Sequence, residues 1–405
     1  MRFALSLFLL ALPMAVCAQA SQPPLGEAEA VRLGLSQSGL VDLERGAILA
    51  AEAEALAAGQ IPNPILSYAR DKTHGSPGSV EQNLMLSQTL DLSGRRALRR
   101  EAAERRVDLA GAENASRRAE VAAEIRRAFH EALFRQEAVR ATVDWVRHFS
   151  RVEQLVDKLA RAGEASGYDR RRLARERQDS EVRLAGERAE LGRALARLAA
   201  LTGLAGDPAV SGELLPAAPP PIESALTGLD RRPDLLALAH RAEAADLDGR
   251  AASPARIPEV TVGIGPRWVD NGIAKDSGFA ASLSVPLPVF DRQQAARQRA
   301  AAEAMQARAT YQLARARAEG DLRGLHRQAS ALRGAALDYR ARAVAATPEL
   351  LRIAEAAYQG GESSLLELLD AYRGALEAET AALELEKRAR DVRIEYDLLT
   401  GSVTE

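Results

Sequence analysis

Apolar and polar residues alternate along three short segments of the chain. Leu84, Leu86 and Leu90 share one face of an extended chain. Apolar residues occupy every second position at Val260, Val262 and Ile264, and at Phe279, Ala281, Leu283, Val285 and Leu287. Polar or small residues such as Ser87 and Ser282 lie between them. A period of two predicts strands with one apolar and one polar face. Residues 65–72 are a weaker fourth candidate, and tilted strands of this length can cross a bilayer.

Between these segments, successive apolar residues lie three or four positions apart. The stripes are Ile125, Phe129, Leu133, Val139, Val143 and Val146 in the first half, and Leu385, Ala389, Val392, Tyr396 and Leu399 in the second. This spacing predicts coiled-coil helices. No proline lies between Gly94 and Gly163, so one helix there can run roughly 100 Å at 1.5 Å per residue. The matching arm, 291–360, contains Pro348, which should kink it.

The chain repeats itself with a period of about 197 residues. Residues 86–90 match 283–287, residues 163–166 match 361–364, and residues 201–203 match 399–401. Each half therefore has the same predicted layout: a β-hairpin, a very long helix, a tight turn and a shorter helix. We expect segment 232–252 to lie beside the first long helix, and the N-terminal segment 25–58 to lie beside the second.

Composition excludes some classes of protein. The chain is 47% apolar and 4% aromatic, with a formal net charge of −2, so it has no basic field for nucleic acid. Residues 1–20 are interpreted as a secretory signal peptide, with Arg2 before an apolar run and Ala18-Gln19-Ala20 as the cleavage site. Cys17, the only cysteine, is interpreted as a discarded signal residue, with lipidation as the alternative.

No motif of a hydrolase, a nucleotide-binding protein, a thiol oxidoreductase or a zinc protease is present. Carboxylates are abundant, but on coiled coils they usually form a solvated face. The histidines are isolated and are expected at the surface or at helix seams: His74, His130, His148, His240 and His326. We therefore predict no enzyme activity, no cofactor and no resident metal.

Four strands cannot close a barrel by themselves. An open sheet in lipid would leave backbone N–H and C=O groups unpaired at its edges. The smallest common barrels have about eight strands, so at least two copies must share one barrel. Three copies would supply twelve strands, and strand arithmetic alone does not choose between these counts.

Several motifs resemble the TolC-like outer-membrane efflux family in order and spacing. They are Ile61-Pro62-Asn63-Pro64 before the first strand, Arg232-Pro233-Asp234-Leu235 at the start of a rising helix, and Tyr358, Gly361, Leu365, Leu366, Leu369 and Asp370 around the second helical turn. The resemblance covers essentially the whole mature chain. Segments 88–96 and 286–292 also resemble the cation-efflux (CzcC-like) branch.

The resemblance implies a mainly α-helical fold with a small β part. Duplicated coiled-coil hairpins would form a trimeric α-barrel, and four strands per chain would enter a shared twelve-stranded transmembrane β-barrel. The expected regions are a signal peptide 1–20, N-terminal periplasmic helices 21–60, a first β-hairpin 61–93, a first long helical hairpin 94–203, a Pro-rich equatorial linker with a rising helix 204–256, a second β-hairpin 257–290, and a second long helical hairpin with the C-terminus 291–405.

The implied function is a passive exit duct in the outer membrane with a large periplasmic portion. A periplasmic adaptor and an inner-membrane RND-type pump would open it, and lipid of the outer membrane would surround the strands. The narrower resemblance implies heavy-metal cations as cargo. A drug or organic-solvent duct of the same fold is the alternative, and a soluble periplasmic coiled-coil adaptor protein is a further one, although two duplicated hairpins argue against it.

The family's functional positions map onto both helical turns. The resemblance implies that Glu367 and Asp370 form an acidic periplasmic gate; they lie three apart and therefore share one helix face. Tyr358 and Asp169 would form a helix-tip latch, although Ser363 stands where the drug-exporting archetype has an arginine. The adaptor-docking tips would be Gly163, Glu164, Ala165 and Ser166, and Gly361, Glu362, Ser363 and Ser364.

Overall fold

The computed structural model describes residues 23–75, 78–161, 166–252 and 259–401. The predicted signal peptide with Cys17, and the predicted tip residues Gly163, Glu164 and Ala165, lie outside these ranges. The elements are α1 Glu27–Leu35, α2 Ser38–Gly59, β1 Ile65–Thr73, β2 Ser79–Leu90, α3 Arg95–Arg161, α4 Gly167–Thr202, α5 Ile222–Thr227, α6 Pro233–Ala252, β3 Val260–Asp270, β4 Lys275–Ser284, α7 Gln294–Tyr339, α8 Thr347–Gln359 and α9 Leu365–Thr400.

The four predicted strands form one antiparallel sheet in the order β1-β2-β3-β4. Leu66 pairs with Leu86, Leu86 with Ile264, and Ile264 with Ala281. Directly paired residues share a face of a sheet, so the register collects the three alternating apolar sets on one side. That side is exposed, with Ile264 at 63% and Phe279 at 85%. The alternation predicted from the sequence is confirmed.

Strand β3 contains Pro266, which lacks the N–H that a central strand needs for pairing. The pairing of β2 with β3 skips the positions opposite Pro266 and Gly265 and resumes in the same register at Arg267. The alternation in the sequence therefore marked β3 only as far as Ile264, whereas the strand continues to Asp270.

Four helices pack side by side in the same order as the strands to which they are connected. Helix α2 packs on α3, α3 on α6, and α6 on α7, and these four helices are chain neighbours of β1, β2, β3 and β4. The predicted position of α6 beside α3 is confirmed. The expectation that the N-terminal segment lies beside the second long helix is wrong within one chain, because α1 and α2 pack on α3 while α7 packs mainly on α6 and α9.

The second long arm is interrupted, as Pro348 predicts. Helix α7 ends at Tyr339, a π-helical turn covers Arg340–Val344, and α8 begins with Pro348 in its first turn. Proline cannot donate to the carbonyl four residues earlier and its ring crowds that carbonyl, whereas the first turn of a helix tolerates it. The interruption divides the arm into two helices, α7 and α8. None of the described helices is both long and apolar enough to cross a membrane.

Candidate functional site at the helical tips and the equator

The second tip is a tight reversal between α8 and α9. Gly361 has φ of 73°, the left-handed region that favours glycine. The Glu362 amide donates to the Ala357 carbonyl over 2.9 Å, and the Gly361 amide donates to the Tyr358 carbonyl over 3.2 Å. These bonds satisfy carbonyls at the end of α8. A side chain at Gly361 would meet no other atom, so the requirement for glycine is conformational.

Both tips are followed by the same N-terminal cap. The Ser166 hydroxyl accepts from the Asp169 amide, and the Asp169 carboxylate accepts from the Ser166 amide, each over 3.1 Å. Ser364 and Glu367 repeat this reciprocal arrangement at the start of α9. Such capping boxes satisfy two amides that the helix leaves without a partner. The Ser-x-x-Asp/Glu spacing in the sequence could have identified them, and the sequence analysis missed it.

The capping boxes give two of the predicted site residues a structural task. Asp169 holds the start of α4, and in the part of the chain that the structure describes it makes no hydrogen bond to Tyr358. Burial, and after it the charge of the Asp169 carboxylate, raises the pKa of Tyr358 above its ordinary value. The Ser363 hydroxyl is buried with no hydrogen-bond partner among the described residues. The latch between Tyr358 and Asp169 stays a prediction.

The predicted gate residues lie on the exposed face of α9. Glu367 and Asp370 are both exposed, and neither makes an ion pair within the described ranges. The opposite face of α9 is buried in a cluster formed by α3, α4 and α9. Its members are Phe149, Val152, Val156, Leu173, Leu365, Leu368, Leu369 and Tyr372. The carboxylates are therefore presented by a helix that is firmly packed behind them.

Besides the tight reversal at the tip, α8 and α9 are joined by a side-chain contact that the sequence did not predict. The Tyr372 hydroxyl donates to the Glu355 carboxylate, and its ring stacks edge-on against Trp145 at 5.8 Å between centroids. Burial, followed by the bond to Glu355, raises the pKa of Tyr372 above its usual value. The Trp145 indole donates to Ser180 on α4 over 3.0 Å. These contacts join α3, α4, α8 and α9 above the tip.

A buried ionic cluster joins α1, α3 and α9 near the middle of the helices. Arg126 bridges Glu27 and Asp397, the latter over 3.0 Å. His130 contacts the other oxygen of Glu27 over 3.0 Å. His130 is 1% exposed and lies at the seam between these helices, one of the two places expected for an isolated histidine. Its buried position became possible because Glu27, about a hundred residues earlier in the chain, supplies a partner.

The equatorial linker is held by arginine side chains. Arg390 donates to the carbonyls of Glu213, Leu214 and Leu215, and Arg393 donates to those of Ala217 and Ala218. A Pro-rich extended segment has no regular backbone partners, so guanidinium groups satisfy its carbonyls instead. Among the residues that the structure describes, no three histidine, cysteine, aspartate or glutamate side chains are grouped so that they could hold a metal ion.

The fold and these sites define a class of protein: duplicated helical hairpins attached to a short sheet with one apolar, exposed face. Residues 227–402 match the sequence family described as outer membrane efflux protein. The chain is 28% identical over 327 residues to the cobalt-zinc-cadmium resistance protein CzcC of Cupriavidus metallidurans, covering 78% of this chain and 76% of that protein.

Solved structures have the same fold. The outer membrane protein VceC of Vibrio cholerae matches with a TM-score of 0.77 and 20% identity, over 94% of this chain and 97% of its own. The CmeC outer membrane channel of Campylobacter jejuni matches with a TM-score of 0.75 and 16% identity, over 94% and 86%.

Residues 227–402 thus carry the match to the outer membrane efflux protein family, and the relative and the solved structures extend the likeness to most of the chain. These matches support an efflux duct of the outer membrane with a large periplasmic part as the role of the chain. The resemblance inferred from its sequence motifs is confirmed, as is the mainly helical fold with four antiparallel strands.

Proposed function

We propose that three copies of this chain form one passive duct, each contributing four strands to a twelve-stranded barrel. The observation that carries the proposal is the sheet: β1 and β4 are open edges, and one face is apolar and exposed. Open edges in lipid cost several kcal/mol for each unpaired group. Pairing β4 of one copy with β1 of the next removes every edge.

The helices at the two sides of the chain support this arrangement. Helix α2 lies under β1 and exposes Leu49 at 53% and Leu56 at 69%, and α7 lies under β4 and exposes Met305 at 73% and Leu313 at 59%. Exposed apolar stripes of this kind indicate an interface. In a ring of copies, α2 of one copy would cover α7 of the next. The N-terminal segment would then lie beside the second long helix after all, but in the neighbouring copy.

The assembly is tested by mass. Native mass spectrometry of the detergent-extracted protein should give three times the mass of the mature chain, and unfolding should return the single chain. A stable, folded monomer or dimer in native lipid would contradict the proposal, because neither leaves twelve strands for one barrel.

The tips are proposed to dock onto a periplasmic adaptor that connects the duct to an inner-membrane RND-type pump. The duct itself carries out no catalysis. Its cargo is proposed to be divalent metal cations, since the relative from Cupriavidus metallidurans is a cobalt-zinc-cadmium resistance protein. A latch between Tyr358 and Asp169 would hold the closed state, which ion leakage through a Tyr358→Phe variant would test.

Docking and cargo are tested together by growth on cobalt, zinc and cadmium. Gly361→Val should abolish resistance while trimer remains in the outer membrane, because a β-branched residue in the left-handed region costs about 1–2 kcal/mol and distorts the tip. Gly374→Val is the control, since that glycine is exposed on α9 and a side chain there meets no other atom. Full resistance in the Gly361 variant would contradict the proposal that the adaptor docks at this tip. Normal growth on these metals of a strain that lacks the protein would contradict the proposal that the cargo is a metal cation.

The entrance is proposed to be an acidic ring of Glu367 and Asp370. Rings of carboxylates favour cations, and this would suit metal export. Glu367 also caps α9, so its replacement changes the helix as well as the charge. Asp370 makes no hydrogen bond within the described ranges, and Asp370→Asn is therefore the cleaner test.

Single-channel recordings should show that Asp370→Asn lowers the cation-to-anion permeability ratio by roughly twofold or more, since three charges leave one narrow ring. Glu377→Gln, on the same helix, serves as the control and should keep the ratio. An unchanged ratio in the Asp370 variant would place the selective constriction elsewhere.

A further inference from the structure

Strands β1 and β4 are the two edges of the sheet, and in a barrel shared by several copies each edge pairs with a strand of a neighbouring copy. The register of that pairing decides which side chains meet where two copies join. The internal repeat supplies a template, because β3 repeats β1 and β4 repeats β2. The pairing of β2 with β3 inside the chain therefore corresponds to the pairing of β4 with β1 of the next copy.

The sequence aligns the two halves strand by strand. Ile61-Pro62-Asn63 precedes β1, and Ile257-Pro258-Glu259 stands at the same place before β3. Leu86-Ser87 of β2 recurs as Leu283-Ser284 of β4. Each residue of the first hairpin thus has one counterpart in the second.

The two hairpins test this alignment independently. It makes Ile264 of β3 the counterpart of Tyr68 in β1, and Ala281 of β4 the counterpart of Leu84 in β2. Tyr68 pairs with Leu84 in the first hairpin, and Ile264 pairs with Ala281 in the second. Both hairpins have the same internal register, so the register between hairpins can be carried across the repeat as well.

The template pair lies in the middle of the sheet, where Leu86 of β2 faces Ile264 of β3. The counterparts of these two residues are Leu283 of β4 and Tyr68 of β1. We propose that Leu283 of one copy pairs with Tyr68 of the next, an inference that rests on the ring of copies proposed above. Both side chains are exposed in the single chain, Leu283 at 70% and Tyr68 at 60%, and the pairing brings them together.

The alternation of the two edge strands agrees with this register. Phe279 and Leu283 lie on the apolar side of the sheet in β4, and Leu66 and Tyr68 lie on it in β1. Directly paired residues share a face, so the proposed pair keeps all four on one side. A shift by one residue would turn Ser67 and its neighbours in β1 to the apolar side. A shift by two keeps the faces and changes every contact.

The junction between copies differs from its template at one place. Inside the chain the pairing of β2 with β3 skips Gly265 and Pro266, whose counterparts in β1 are Ala69 and Arg70. Arg70 has the backbone N–H that the proline lacks, and Ala69 has a Cβ that prevents the close approach seen at the glycine. The ladder between copies is therefore continuous where the ladder inside the chain is interrupted.

The helices below the edge strands fit the same junction. Val41 and Leu49 are exposed on α2 eight residues apart, and Met305 and Leu313 are exposed on α7 with the same spacing. Helix α2 leads into β1 and α7 leads away from β4, so the two helices are antiparallel. Both contacts can then form together, Val41 with Leu313 and Leu49 with Met305.

The template for these helices is the packing of α6 on α3. Arg241 of α6 pairs with Glu113 of α3 over 2.9 Å. Across the repeat these positions correspond to Arg45 of α2 and Thr310 of α7. Position 45 lies between the two apolar residues of α2, and position 310 lies between those of α7, so the ion pair inside the chain and the apolar contacts between copies give the same alignment.

Disulfide cross-linking tests the strand register directly. Cys17, the only cysteine, lies in the predicted signal peptide, so an introduced pair has no competing thiol in the mature chain. Tyr68→Cys/Leu283→Cys is oxidised with copper phenanthroline in native membranes. Directly paired residues have Cα atoms about 4.5–5.5 Å apart, which suits a disulfide. We expect three covalently linked chains on a denaturing gel.

Two matched pairs represent the shifts by two residues, Leu66→Cys/Leu283→Cys and Arg70→Cys/Leu283→Cys. In the proposed register their Cα atoms are about 7–8 Å apart, too far for a disulfide without backbone movement. The Tyr68 pair should therefore link about fivefold faster or more than either, and each single-cysteine variant should stay unlinked. Faster linking of either matched pair would overturn the register.

Native mass of the same samples separates this inference from the proposed ring. Trimers in which none of the three pairs links would overturn the register alone, whereas folded monomers would overturn both the ring and the register. If cysteines in the strands prevent assembly, Leu49→Cys/Met305→Cys in the helices takes their place and should link neighbouring copies. Leu49→Cys/Leu313→Cys is its control, displaced by about 12 Å along the helix, and faster linking of that control would overturn the alignment.

Discussion

An alanine at Gly265 is expected to reduce assembly of the duct in the outer membrane strongly. A Cβ at this position would lie 1.8 Å from the Leu84 carbonyl oxygen and 2.9 Å from the Met85 Cα. Both atoms belong to the backbone of β2, so no side-chain rotation relieves the contact. The strands would have to separate, and separation in lipid leaves backbone groups unpaired.

The close approach has its origin in Pro266. Because the proline cannot donate a hydrogen bond, the two strands are not paired opposite it, and the β2 backbone settles against the glycine next to it. We expect the amount of trimer in the membrane to fall by about tenfold or more, since overpacking against backbone costs at least 1–3 kcal/mol.

Gly278→Ala is the matched control for this prediction. Gly278 pairs with Arg267 and so lies on the same face of the sheet as Gly265, and a Cβ there meets no atom within 4 Å. Heat-modifiability on gels and membrane fractionation measure the trimer in both variants. Wild-type amounts of the Gly265 variant would show that β2 and β3 are not held at this distance in the assembled barrel.

The sheet was predictable because its signal is local. Alternation places Leu86, Ile264 and Ala281 on the apolar faces of their own strands, and only one register brings those faces together. The continuation of β3 beyond Pro266 was not predictable, because a proline in a strand usually marks its end. The structure accommodates it by skipping the pairing at one place, which depends on the partner strand.

The tips were predictable in position and only partly in role. The repeat places the turns at 163–166 and 361–364 because small residues interrupt two long helical patterns at equivalent points. The sequence analysis assigned Asp169 to a latch and Glu367 to a gate, whereas both carboxylates also cap helices. The Ser-x-x-Asp/Glu spacing alone predicts these caps.

The buried ionic cluster could not have been predicted from any local pattern. Glu27, Arg126 and Asp397 are far apart in the sequence, and each is an ordinary charged residue on a helix. They meet because α1 packs on α3 and α9 packs on α3 from another side. Only the tertiary arrangement shows that a glutamate at the start of the described chain neutralises groups in the middle of the long helices.

Replacing Arg126 by methionine should lower the free energy of unfolding by about 3 kcal/mol, the low end for breaking a buried ion pair. The Arg126 side chain is 12% exposed and that of Asp397 is 7% exposed. Methionine keeps the volume and removes the charge. Asp397 retains Arg393 over 2.6 Å and Glu27 retains His130 over 3.0 Å, which keeps the loss at this low end.

The same variant should change the response to acid. Burial opposes ionisation of Glu27, but the hydrogen bond from His130 and the charges of His130 and Arg126 outweigh it and hold its pKa at about 2, against 4.5 in the unfolded chain. A carboxylate with a lowered pKa contributes stability above pH 4.5 that is lost as the pH falls from 4.5 towards 2. Without Arg126 the pKa of Glu27 rises, so this contribution is smaller and disappears at a higher pH.

Thermal unfolding followed by circular dichroism, repeated over a range of pH, tests both statements. Arg147→Met is the control: it lies on the same helix and pairs with Asp144, but the two side chains are 65% and 52% exposed, and exposed pairs contribute about 0–1 kcal/mol. The Arg126 variant should unfold earlier than this control at pH 7, and the gap should narrow as Glu27 becomes protonated in wild type. Equal stability of the two variants at pH 7 would mean that apolar contacts alone hold α1 and α9 to α3. The ionic cluster would then contribute nothing to the packing of these helices.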